Sequence, residues 1–479
     1  MEYDLCIIGG GAAGLVVAAG GAALGAKVIL VEKHRLGGDC LHYGCVPSKA
    51  LLHSAKVAQW LRRARDFGIT AAPPHISLPA VMRHVQAVVN RVAVHDSPQR
   101  FRELGVELCF GSGRFVSGEA FEVDGRLLTA RHFVIATGSR PAVPPIPGLD
   151  ECPYLTNETV FSLEEGVSHL LVLGGGPIGV ELAQAFVRLG SRVTLLEQGP
   201  RILPREDEDL AAVVQERLAD EGVDFRFGVH VLEARGIPGA VTLHYRDTKA
   251  AEAGRTHTLS GSHLLVAAGR RANVEGLDLE AAGVVLTSQG RIATDARLRT
   301  HNRRIYACGD VTGPYAFTHM AEHQATVVLR NALLRIPARV ERRVVPWCTF
   351  TDPELARVGL SETEARRQGL RHEVYTFPFR DIDRAQAEGE TAGLAKILTD
   401  RRGRLLGAAL AGPQAGELIH EYTLALARGL KAGELSRVIH VYPTLAQINR
   451  RVADQRLKAA LTPRRRRWLQ RLLGLRGQT

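Results

Sequence analysis

Cys40 and Cys45, in the stretch GGDCLHYGCVPSK over residues 37 to 49, form the one close thiol pair in the chain. The other cysteines, Cys6, Cys109, Cys152, Cys308 and Cys348, lie far apart in sequence, so nothing suggests a secreted disulfide framework. A close pair of this kind can cycle between dithiol and disulfide, with the thiolate as the reactive form. A purely structural disulfide is the competing reading, and a reducing compartment disfavours it.

A cycling disulfide needs an electron source, and two glycine-rich turns suggest one. Residues 4 to 9, DLCIIG, read as a buried strand; the glycines after it open a helix, and KVILVE reads as the next strand. Gly9, Gly11 and Gly14 make the G-x-G-x-x-G pattern. The first permits a tight turn, the second lets backbone approach a pyrophosphate, and the third allows close helix packing. Glu32, at the end of the second strand, is expected to accept from ribose hydroxyls. The pattern recurs as LLVLGGGPIGVELAQAFVRLGSRVTLLE, with Gly174, Gly176, Gly179 and Glu197 each 165 positions after its counterpart. Two turns in register imply two dinucleotide sites, and electron flow between them requires a bound redox cofactor such as a flavin. A carboxylate at 197 favours NAD over a 2′-phosphorylated nucleotide, although Arg201 is near enough in sequence to blur that preference.

From these motifs the chain resembles the class I pyridine nucleotide-disulfide oxidoreductases, the group containing dihydrolipoyl dehydrogenase, glutathione reductase and mercuric reductase. The resemblance runs from Tyr3 to about Leu461 and includes ATGSRP at 136 to 141, AAGRRAN at 267 to 273, YACGDV at 306 to 311 and FTDPELARVGL at 350 to 360. It implies that Cys45 is the flavin-contacting thiolate and that Cys40 exchanges with substrate, both on the helix that follows the FAD phosphate turn. It also implies that Lys49 pairs with Glu181 near the flavin, and that Asp310 holds the FAD ribityl chain. Gly113, Thr137, Gly138 and Ser139 join Gly9, Gly11, Gly14, Glu32 and Lys49 in the implied FAD site. Gly269 joins Gly174, Gly176, Gly179, Glu181 and Glu197 in the NAD site. No metal site is expected.

Near the C-terminus the resemblance breaks. Thiol-disulfide members present His-Pro-Thr followed by glutamate, with the histidine acting in the partner subunit's site; here the residues are Tyr442, Pro443, Thr444 and Gln447. His440 lies two positions early and, in extended chain, is expected to point the other way. An unperturbed phenol titrates at about 10 and an imidazole at about 6.5, so Tyr442 is a weak substitute as a general base. Oxidation of a dithiol is handicapped, whereas an acceptor needing no base is not. GGDC and the tyrosine most resemble mercuric reductase-like flavoproteins, but an N-terminal metal-binding module and a vicinal C-terminal cysteine pair are missing. The rivals are a dihydrolipoyl dehydrogenase and, from another class, a non-catalytic FAD-binding redox sensor.

The elements that hold these residues must be several. At 479 residues, 45% hydrophobic and 23% charged, the chain is too long for one core and ordinary for a soluble protein. The fold is expected to be α/β, with two Rossmann-like domains for FAD and NAD and a C-terminal α+β dimerisation domain. The expected bounds are 1–147 and 272–343 for the FAD-binding parts, 148–271 for NAD and 344–461 for dimerisation. The last segment, 462–479, is a basic amphipathic tail. Leu5 to Ala26 carries no charge, yet its glycines argue against a membrane span or signal, and the cytoplasm is the expected compartment. The net charge of +11 includes six arginines, Arg464 to Arg467, Arg471 and Arg476, so the body holds only +5 and nucleic acid is not an expected partner. The expected partners are a second copy of the chain, a small-molecule or metal-ion electron acceptor and, through the Trp468–Leu475 face of the tail, an anionic membrane surface.

Overall fold

The computed structural model describes residues 1–248 and 254–477. It divides into two compact units, one made of Met1–Pro200 with Val223–Glu341, the other of Arg201–Gly222 with the chain from Arg342 on.

In the first unit, strands Val106–Phe110, Val28–Glu32, Tyr3–Ile8, Arg126–Ile135 and Ile305–Ala307 lie side by side in parallel. Alternate residues of Tyr3–Ile8 enter different cores. Leu5 and Ile7 join Val17, Ala325 and Val328, while Cys6 and Ile8 join Phe115, Phe121 and Phe133. A strand covered on both faces has no use for a charge, which explains why the apolar run begins there. The rest of the run is the helix Ala12–Ala23, whose 12 residues are too few to cross a bilayer. Among the described residues no helix is long and apolar enough to do so.

A second parallel sheet orders Val223–Phe227, Arg192–Glu197, His169–Leu173 and His263–Val266. Its first turn repeats that of the first sheet in detail. Helix Pro177–Arg188 has 12 residues, as Ala12–Ala23 does, displaced by 165, and the two end at Leu189 and Leu24 with φ −84° in both. Gly9 and Gly174 have φ +108° and +113°. A Cβ on Gly14 would lie 1.9 Å from the Gly9 carbonyl oxygen, and one on Gly179 would lie 2.0 Å from that of Gly174. The third glycine of each turn is thus required by contact with the first. The second is not: a Cβ on Gly176 would meet nothing within 4 Å.

The second unit carries a five-stranded antiparallel sheet, ordered Pro346–Thr349, Glu354–Gly359, Leu405–Gly412, Leu394–Thr399 and Glu373–Pro378. Helices Ala415–Ala427 and Gln447–Ala460 pack on it through Ile419, Tyr422, Ile448 and Val452. Arg201–Gly222 joins this unit through buried ions: Arg357 pairs with Glu206 at 3.2 Å, and Lys396 with Asp207 at 3.2 Å. Beyond the sheet, Pro463–Leu473 is a helix whose Thr462 side chain accepts from the Arg465 amide. Trp468, Leu472 and Leu473 on it are exposed.

These contacts predict unequal tolerance within one turn. Gly179→Ala is expected to cost about 3 kcal/mol or more, because a backbone oxygen must move. Gly176→Ala costs about 1 kcal/mol, for the loss of a good capping residue. Urea unfolding of the two variants reads the difference, and equal stability would contradict it.

Candidate active site

The redox cysteines follow directly from the first turn. Gly37 and Gly38 both have positive φ, and a Cβ on Gly38 would stand 2.7 Å from the Gly11 Cα. Backbone therefore packs on backbone between the glycine turn and the cysteine motif. This explains Gly38 of GGDC, a role that sequence reading missed, while Gly37 is required by its φ of +101° and by the Leu41 side chain that a Cβ would strike. The two cysteines do not share one helix as expected. Cys40 is in the short helix Gly38–His42, the chain breaks at Tyr43 and Gly44, and Cys45 is the first residue of Cys45–Arg63. The break folds the second sulfur back toward the first and puts it where free amides and the helix dipole favour an anion.

The two sulfurs are electrostatically unequal. Cys45 is lowered to about 6, first by its hydrogen bond with Cys40, then by Thr318 and Lys49, against burial and Glu181. The Thr318 Oγ1 lies 3.7 Å from the Cys45 Sγ. Cys40 is raised, chiefly by the same bond to Cys45 and by burial. Cys45 thus holds the charge and Cys40 the proton. The remaining buried thiols go the other way, with burial pushing Cys308 up to about 12.

Lys49, one turn into the Cys45 helix, places its Nζ 2.9 Å from the Glu181 carboxylate. Glu181 is on the Pro177–Arg188 helix, so this pair joins the two glycine-turn units next to the cysteines. Asp39 makes a second link that was not anticipated. Its carboxylate accepts from Asn157 at 3.1 Å and pairs with Arg270 at 3.2 Å. Arg270 in turn donates to the Ser139 hydroxyl, and that hydroxyl donates to Asp310 at 2.6 Å. Burial raises the Asp310 carboxyl, opposed by Ser139 and Arg270. Thr137 donates to the Asn273 carbonyl, and Gly138 and Gly269 have φ +69° and +130°, which favour glycine. Gly113 opens a strand where a Cβ would strike the Phe121 ring, so packing alone accounts for it.

The strand-end acids do more than was expected of them. Glu32 accepts from the Gly10 amide at 2.7 Å and the His34 amide at 2.8 Å. Glu197 accepts from the Gly175 amide at 2.7 Å and the Gly199 amide at 2.6 Å. Each carboxylate fastens its own glycine turn, and its remaining lone pairs suit ribose hydroxyls. The Gly11 position leaves room for pyrophosphate, since a Cβ there would meet only the Gly38 Cα at 3.7 Å. Turn, strand-end acid and buried Asp310 together fit an FAD dinucleotide.

In the second unit Tyr442 is 64% exposed and its hydroxyl donates to Asp383 at 2.9 Å. This carboxylate holds the phenol above its ordinary range. His440 is turned in: its ring nitrogens face the Val438 carbonyl at 3.0 Å and Glu421 at 3.1 Å. Gln447 opens the helix Gln447–Ala460.

Comparison with known proteins agrees with this geometry. The family model described as pyridine nucleotide-disulphide oxidoreductase matches residues 3–325, and that of the family's dimerisation domain matches 345–452. The chain is 39% identical to a dihydrolipoyl dehydrogenase of Thermus scotoductus over 448 residues, covering 93% of this chain and 95% of that protein. It is 36% identical to a mercuric reductase of Streptomyces lividans over 456 residues, covering 93% and 94%. A protein bearing the latter name is therefore spanned almost whole, and the name does not depend on a long additional N-terminal module. Among solved structures, the HOCl-induced flavoprotein disulfide reductase RclA of Escherichia coli superposes with a TM-score of 0.83 at 30% identity, covering 94% of this chain and 99% of that one.

The inequality of the two sulfurs predicts a titration. In the reduced protein, ultraviolet thiolate absorbance is expected to rise with a midpoint near pH 6, where Cys45 loses its proton. The signal is present above that pH, fades below it and is lost in Cys45→Ser. The midpoint belongs to the pair, so Cys40→Ser should move it upward. A wild-type midpoint at the ordinary thiol value would contradict the arrangement.

Proposed function

We propose that this chain, which belongs to the pyridine nucleotide-disulphide oxidoreductase family, passes electrons from NADH through FAD and the Cys40–Cys45 disulfide to an acceptor that needs no general base. It is a flavoprotein disulfide reductase using FAD and a nicotinamide cofactor, and its dimerisation domain supports a homodimer. The observation that carries the reading is the Cys45 sulfur at a helix N-terminus beside the Lys49–Glu181 pair.

Bound FAD supplies the two-electron relay between nicotinamide and disulfide. The residues of the chain do the rest. Gly9, Gly11, Gly14 and Glu32, with Thr137, Gly138, Ser139 and Asp310, hold FAD, whereas Gly113 is accounted for by its packing on Phe121. Gly174, Gly176, Gly179, Glu197 and Gly269 hold the nicotinamide dinucleotide. Lys49 and Glu181 position the reacting rings, and an ion pair of this burial is better explained by orientation than by stability. Cys45 keeps the thiolate and Cys40 carries the exchanging thiol. We assign 1–147 and 272–343 to FAD, 148–271 to the nicotinamide nucleotide and 344–461 to dimerisation. NADH is preferred over NADPH because Glu197 stands at the ribose end of its strand. Arg201, the nearest basic residue in sequence, gives its guanidinium to the carbonyls of Ile202, Leu203 and Glu206.

Dihydrolipoyl dehydrogenase activity is the second reading, favoured by the Thermus scotoductus relative and opposed by Tyr442 in place of an imidazole. The acceptor in the first reading is a small molecule or a metal ion. Titration of purified holoenzyme with NADH is expected to take up four electrons per subunit, two on FAD and two on the cysteines. Cys45→Ser takes up two. Stopped-flow reduction by NADPH is slower than by NADH. An unchanged capacity in the variant would remove the cysteines from the electron path.

The tail gives the protein a surface of its own. No acidic residue follows Asp454, seven arginines do, six of them after Thr462, and Trp468 and Leu472 are exposed on its helix. We assign it to anionic lipid, with each well-placed arginine contributing about 1 kcal/mol in addition to apolar burial. The protein is expected to sediment with phosphatidylglycerol vesicles and not with phosphatidylcholine vesicles, and truncation after Thr462 to abolish this with flavin content unchanged. If full-length protein stays in the supernatant at low salt, the tail is a solvated extension.

A further inference from the structure

The segment from Val438 to Tyr442 exposes apolar side chains to an unusual degree, with Ile439 91% and Val441 74% exposed. In a chain with a dimerisation domain, such a segment is made to be covered by a second copy. Its two ring-bearing titratable residues face in opposite directions. The His440 side chain is only 5% exposed and is held between Glu421 and the Val438 carbonyl, with Glu421 also fixed by Asn449 at 2.8 Å. It is not free to serve a neighbour. Tyr442 faces out, and a carboxylate from a different element meets its hydroxyl: Asp383, the first residue of the helix Asp383–Glu388, 59 positions earlier.

We infer that Asp383 is the positioning partner of Tyr442, holding the phenol proton on its own side so that the phenol oxygen presents lone pairs outward as a hydrogen-bond acceptor. This deepens the proposed function and rests on it, because it assigns the outward side to the active site of the other protomer. A phenol has one proton and two acceptor positions. With the proton given to Asp383, the oxygen can receive the S–H of a thiol arriving at or leaving Cys40, whose own proton is already donated to Cys45. The carboxylate that Gln447 does not supply is thereby supplied from Asp383. No signal in the sequence marked it, since RDIDRA resembles an ordinary helix start.

The test uses the holoenzyme and three variants: Asp383→Asn, Tyr442→Phe and the double variant. The tyrosinate absorbance of Tyr442, isolated by difference from Tyr442→Phe, is expected to appear at lower pH in Asp383→Asn than in wild type, since a neutral amide no longer repels the phenolate. With NADH and 2-hydroxyethyl disulfide as probe acceptor, Asp383→Asn is expected to lower kcat roughly tenfold, the size of one hydrogen bond to a charged group. The double variant should lose no more than Tyr442→Phe alone, as residues acting as a unit do. An unmoved tyrosine titration, or losses that multiply, overturns the proposal. If wild type takes up only two electrons, the proposed electron path fails instead, and the tyrosine titration still reads the Asp383 contact on its own.

Discussion

The contact between Lys49 and Glu181 is the constraint on which the rest of the site depends. Lys49 is on the cysteine helix that packs with the first glycine turn and Glu181 on the helix that the second glycine turn opens, so the contact can form only if both regions are built and correctly docked. Glu181 is buried and Lys49 is about a third exposed, an environment in which desolvation offsets much of the attraction. The pair is therefore weak as a source of stability and strong as a register device. It fixes the Cys45 helix against the Pro177–Arg188 helix, where the proposed function would bring nicotinamide, flavin and disulfide into line. The Asp39 contacts with Asn157 and Arg270 do the same from the other side of the cysteines, and Arg270 carries the link on to Ser139 and Asp310.

Much of this was readable from residue spacing because it is set by backbone geometry. The 165-residue offset survives down to the helix-end dihedrals at Leu24 and Leu189 and to the equal bonds from Gly10 to Glu32 and Gly175 to Glu197. A turn that must admit a phosphate and still pack a helix admits few sequences, so it shows in every copy. Expectations failed where the cause was local but unpatterned. The helix break at Tyr43 and Gly44 divides a stretch that reads as one helix, since a single glycine in a helical pattern is usually tolerated. Residues such as Asn157, Arg270, Thr318 and Asp383 reach their partners across more than 50 positions of chain, and no periodicity announces such contacts.

The segment Arg201–Gly222 shows the same limit at the scale of whole elements. Sequence order places it inside the second nucleotide-binding region, between two strands of one sheet. Its helix nevertheless joins the C-terminal unit, because Glu206, Asp207 and Asp209 meet Arg357 and Lys396. Removing one member of such a cluster leaves a buried charge without its partner, which costs more than the intact pair contributes. Lys396, with Asp207, Asp209 and Glu362 around it, is the clearest case.

The exchange of imidazole for phenol at position 442 is then less damaging than it looks on paper. An imidazolium is valuable when a thiolate needs a nearby cation to exist at neutral pH. Here the Cys45 thiolate already has the Cys40 S–H, the Thr318 hydroxyl, the Lys49 ammonium and a helix N-terminus, all from its own protomer. The charge on Cys45 does not wait for the partner subunit. On the proposed reading, Tyr442 of the partner subunit would meet thiols arriving at or leaving Cys40 and so bear on which acceptors are reduced easily. On that reading a phenol committed to Asp383 would hold the S–H of such a thiol without removing its proton, so the delivery of electrons would be retained and the abstraction of protons from an incoming dithiol would be the step that suffers.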